Sequence, residues 1–182
     1  MLFVGLAVFV VGHLWKRILT GMYERTGPSA KSISAVTIIL GLVLIVLGYR
    51  NTNFVSVYAP PEWGIPINWV LMFVAVGLLG AGHSKGRIKA WFRHPMLMSV
   101  IVWSVAHLLA NGDLASVVLF GTLGLWALSQ IFVVNAATRP WERPAPGPIV
   151  RDFVLLGITI FVYATMIGLH AFLGVNPFGS IS

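Results

Sequence analysis

The sequence predicts an all-α fold, a polytopic transmembrane helix bundle of about six spans with both termini outside. Hydrophobic residues make up 58% of the 182 and charged residues only 9%, with a mean hydropathy of +0.90, whereas a soluble domain carries roughly 25% charge. The stretches between charged clusters run close to the roughly 20 apolar residues that a spanning helix requires. The cations fall in short loops between those stretches. Helices and turns use up the chain, so residues 1–182 read as a single integral membrane domain.

The spans are expected near Leu2–Leu19, Ser34–Tyr49, Ile65–Gly82, Pro95–Ala110, Leu114–Asn135 and Val150–Gly174. In the first, apolar Met1 to Leu14 precedes Lys16 and Arg17, the reverse of a cleavable signal with its basic leader, so it reads as a retained span. The second and fourth are short for a full crossing and call for little tilt or local bilayer thinning. Proline clusters separate the later elements, at Ala59-Pro60-Pro61-Glu62-Trp63-Gly64 and from Arg139 to Pro148, because proline lacks the amide donor and collides with the preceding turn. Trp63, Trp69, Trp91 and Trp141 fall near predicted interfaces, where an amphipathic ring anchors.

Charge sorts the loops. The first connection holds Lys16, Arg17, Arg25 and Lys31, the third Lys85, Arg87, Lys89 and Arg93, and the fifth Arg139, Arg143 and Arg151. Against them the second loop has only Arg50, and the fourth loop and the tail Val175–Ser182 have none. Eleven of the twelve cations therefore lie on one side, which the positive-inside rule makes cytoplasmic. The net charge of +7 thus serves orientation. It does not point to nucleic acid, because the cations sit in short loops between apolar runs, where positive charge fixes membrane orientation.

There is no cysteine, which excludes disulfides, thiolate nucleophiles and cysteine metal sites. Glu24, Glu62, Asp113, Glu142 and Asp152 are the only acids, all at edges or in loops, so no carboxylate pair stands ready for acid and base work. Chemistry inside the spans falls to histidine. His13 lies in the first helix. His107 lies in the fourth, where Trp103, Ser104, His107 and Asn111 share one face by their spacing. His170 sits near the outer end of the sixth, and His83 and His94 flank the basic third loop. The plain readings are a solvated turn for His83, a cap before Pro95 for His94, a headgroup contact for His170 and interhelical hydrogen bonds for His13 and His107. The sharper reading is haem, since neutral imidazole in an apolar bundle is a good axial ligand. A histidine-only zinc site is weaker, with no acid within a span to complete it.

Arg93-His94-Pro95-Met96-Leu97, followed by Trp103-Ser104-Val105-Ala106-His107-Leu108-Leu109-Ala110-Asn111-Gly112-Asp113, resembles the signature of the NnrU family. Gly12-His13 with Arg17, Gly86-Arg87-Ile88-Lys89 and the closing helix with His170 fit as well. The resemblance implies a multi-pass protein of the bacterial inner membrane, an accessory or regulatory factor for nitrite and nitric oxide reduction, with a nitrogen-oxide reductase or its assembly factors as partners. The similar zeta-carotene isomerases carry haem b, and their ligand positions fall on His13 and His107. Their alternative cysteine ligand falls on Ser104, so a Cys/His ligand exchange does not carry over. The Arg-His-Pro element is also similar to isoprenylcysteine methyltransferases, whose acidic and tyrosine-rich closing elements this chain lacks.

Depth complicates the pair. His13 is placed about 5 Å inside the cytoplasmic boundary and His107 about 18 Å along its helix at 1.5 Å per residue. Depth alone pairs His13 with His94 and His107 with His170. The expectation is a haem-b protein with His13 and His107 as ligands and Ser104, Asn111 and Trp103 beside them, with His94 and His170 as the alternatives. Two other functions stay open, a membrane isomerase of an apolar polyene and a cofactor-free scaffold or assembly factor.

Overall fold

The computed structural model describes residues 1–138 and 140–175; Arg139, expected in the fifth loop, and the tail 176–182, expected outside, lie beyond the described residues. The described residues form seven α-helices and no strand: α1 (Leu2–Ile18), α2 (Thr20–Thr26), α3 (Ser29–Arg50), α4 (Gly64–Ala81), α5 (Pro95–Ala110), α6 (Leu114–Ala137) and α7 (Val150–Phe172), with one 3-10 turn at Ile88–Trp91. Helices α3, α4, α6 and α7 are each long and apolar enough to cross a membrane, and α1 with α2 makes a fifth if the bent pair is counted as one span. At 16 residues, about 24 Å, α5 is the short apolar helix expected. Phe3, Phe132 and Phe161 are between 66% and 72% exposed, a surface suited to acyl chains. This is a multi-pass helical membrane protein.

Two expectations change. The second long helix begins at Ser29, five residues before the expected Ser34, and spans 22 residues, so it is not short. Hydropathy marks the first apolar residue, whereas the backbone ladder continues through the polar turn Ser29–Ser34. The first connection is no simple loop either. It contains α2, which leaves α1 at 81°.

The chain divides into two units, Met1–Tyr58 with Asp113–Thr122, and Ala59–Gly112 with the residues from Leu123 onward. In the first, α1 and α3 run antiparallel with their backbones touching. A Cβ on Gly5 of α1 reaches 2.6 Å from the Ile45 amide nitrogen, and one on Gly41 of α3 reaches 2.6 Å from that of Phe9. Only glycine permits this approach, the usual device where lipid removes the hydrophobic drive between helices. Trp15 Nε1 donates to Ser34 Oγ at 2.6 Å across the pair. The opening turn of α6 joins the same unit: Leu114 N donates to Val55 O at 2.8 Å, and Ser56 bridges Asp113.

In the second unit α4 packs against both α5 and α7. Buried Ser99 donates to the Ala75 carbonyl at 2.7 Å, and Tyr163 donates to the Trp69 carbonyl at 3.0 Å. The basic third loop is tied down at two points: Asp152 accepts from the amides of Arg87 at 3.1 Å and Ile88 at 3.2 Å, and Arg143 Nε donates to the Ala90 carbonyl at 2.8 Å.

Candidate functional site

His13 and His107 sit in matching local surroundings. Four residues before each stands an aromatic residue, which a helix stacks one turn away. His13 Nδ1 bonds the Phe9 carbonyl at 2.9 Å and its ring lies 4.4 Å from the Phe9 ring. Likewise His107 Nδ1 bonds the Trp103 carbonyl at 2.9 Å, with the rings 5.1 Å apart. A carbonyl only accepts, so Nδ1 carries the proton in both. The lone pair of the neutral ring is then on Nε2, the arrangement by which a second hydrogen bond orients a metal-binding imidazole.

His170 repeats half of this device. Its Nδ1 donates to the Met166 carbonyl at 2.7 Å, without an aromatic neighbour. It lies within electrostatic range of His107 in the same unit. His94 differs: its Nε2 meets Asn135 Oδ1 at 2.8 Å, so that nitrogen carries the proton. His83 is exposed in its turn.

Of the residues expected beside His107, Trp103 and Asn111 are joined to it, the latter through Asn111 Nδ2 donating to the His107 carbonyl at 2.9 Å and closing the last turn of α5. Ser104 is turned to a neighbouring face. It is 2% exposed, a Cβ on Gly124 of α6 reaches 3.0 Å from its own Cβ, and its hydroxyl has no hydrogen-bond partner among the described residues. His13 belongs to the first unit, and His107, His94 and His170 to the second. Among the described residues no cluster of three or more His, Cys, Asp or Glu is placed to hold a metal ion.

The sequence reading missed the ring partners, although the i−4 spacing of Phe9 to His13 and Trp103 to His107 was there to find. It also missed a polar chain in the first unit: Tyr49 Oη lies 2.8 Å from Ser116 Oγ, which donates in turn to Asp113 Oδ2.

No curated protein and no solved structure matches the chain. One family model does, described as NnrU protein, over residues 1–177. With that match covering nearly all of a helical membrane chain, the protein belongs to the NnrU family.

Proposed function

We propose that the protein binds haem b in the inner membrane and serves nitrogen-oxide respiration as a redox or ligand sensor, or as an accessory to a nitrite or nitric oxide reductase. One observation carries the cofactor: in two separate helices an imidazole is held by a backbone carbonyl and an aromatic ring four residues earlier. The donor chemistry fits, since His107 with His13 or His170 would hold the group through neutral imidazole nitrogens. Family membership supports the link to denitrification. When bound, haem would supply a one-electron redox couple and a place for nitric oxide.

The chain's own residues do the rest. The Nδ1 bonds to Phe9 and Trp103 fix the ring orientations and raise ligand basicity. Phe9 and Trp103 pack one side of each ring. Neither α1 nor α5 contains an acid, so no carboxylate of the same helix competes with either imidazole for a metal. His94 is engaged at Nε2 by Asn135, so it would have only Nδ1 to offer a metal.

A second pair, His107 with His170, is favoured by the placement of both in one unit. Optical spectra of the purified, haem-loaded protein, oxidised and reduced, test both. His107→Ala removes the Soret band or leaves a five-coordinate spectrum under either pairing. His13→Ala does so only under the first, and His170→Ala only under the second. A protein that takes up no haem, or a His107→Ala spectrum identical to wild type, overturns the proposal.

A further inference from the structure

Away from the histidine sites, a cavity of about 360 Å³ opens where the end of α4 meets the start of α7. One end, its mouth, is lined by His83, Ser84, Lys85 and Arg151, and buried Leu155 with the exposed Val154 and Ile158 makes up its apolar lining. Charge and apolar surface are therefore separated along one helix. Arg151 stands in the first turn of α7, Val154 and Ile158 follow one and two turns on, and exposed Phe161 continues the same stripe.

No carboxylate lines this mouth. Asp152 adjoins Arg151, but its two oxygens accept from the amides of Ile88 and Arg87 and it packs against Gly86. Among the described residues no acid pairs with Lys85 or Arg151. Two cations, a hydroxyl and an imidazole thus stand at one end of an apolar groove with no acid among its lining residues.

We propose that this cavity is a specific site for an anionic glycerophospholipid, the phosphate seated between Lys85 and Arg151 and one acyl chain lying along Val154, Ile158 and Phe161. Basic pockets between spanning helices on the cytoplasmic side recognise such headgroups. The dimensions agree: ten residues from Arg151 to Phe161 rise about 15 Å, half of a roughly 30 Å hydrocarbon core. A soluble anion satisfies the mouth alone and leaves the groove below it uncovered. The lipid covers both.

Native mass spectrometry of the delipidated full chain in detergent, titrated with phosphatidylglycerol, tests this. Wild type retains one tightly bound lipid, and phosphatidylcholine of the same chain lengths binds far more weakly. Lys85→Gln with Arg151→Gln weakens phosphatidylglycerol binding about thirtyfold, and Lys85→Gln alone, in an exposed loop that the helices do not depend on, about fivefold. Lys31→Gln, a cation in the other unit, leaves it unchanged. Equal binding of phosphatidylcholine, an equal loss with Lys31→Gln, or displacement of the lipid by inorganic phosphate overturns the proposal.

Discussion

Asp113 organises the start of α6 with both of its oxygens. Oδ1 accepts the Ser116 amide at 2.9 Å, the bond of an N-cap to the third helical residue, and Oδ2 accepts the Ser116 hydroxyl. Ser116 is fully buried and continues the chain to Tyr49. Asp113→Ala removes the cap and leaves that hydroxyl without its acceptor, so it is expected to lower stability by about 1–2 kcal/mol, measured by denaturant titration in mixed micelles. Asp113→Asn retains the cap acceptor and loses less. At this scale the sequence was partly legible. His13 and His107 stood out as polar groups in greasy helices, whereas Asp113 was read only as an acid at an edge, although a cap residue directly before an apolar run is a start signal. The role of Asp152 was not legible, because its amide partners lie 64 and 65 residues away and no local pattern announces them. Ser104 shows the opposite limit: spacing placed it on the His107 side, but the close approach of α6 at Gly124 decides where its hydroxyl points.

At the scale of the helix, boundaries were most legible where backbone chemistry forces them. Pro95 opens α5 and Asn111-Gly112-Asp113 closes it, and the observed Pro95–Ala110 equals the expected range. Where only hydropathy marks an end, as at Ser29–Ser34, the helix runs on unseen. The helix α2 was hidden for the same reason, since Thr20–Thr26 is polar. The α1–α3 contact yields a paired prediction. Gly41→Leu forces side-chain volume into the Phe9 backbone, 2.6 Å from its nitrogen, and is expected to cost about 1–3 kcal/mol of overpacking. Gly157→Ala in α7, where an added Cβ meets nothing within 4 Å, is expected to be neutral or to stabilise slightly through helix propensity. Thermal unfolding of the two variants in one detergent checks the contrast; equal destabilisation contradicts the close approach.

For the whole molecule, composition alone fixed the solvent, and the distribution of cations predicts the orientation. The chain has no cysteine, so each introduced thiol is unique. In intact cells Asn53→Cys is expected to react with an impermeant maleimide and Glu142→Cys only after permeabilisation, while the reverse pattern inverts the topology. What composition did not reveal is that the two units interleave along the chain. Residues 59–112 belong wholly to the second unit, yet the first is completed only by residues 113–122. This order constrains biogenesis. A ribosome that has released Tyr49 into the translocon must add 67 more residues before Ser116 emerges to receive the tyrosine hydroxyl, so during that interval the nascent N-terminal hairpin resides in the bilayer with its polar latch still open.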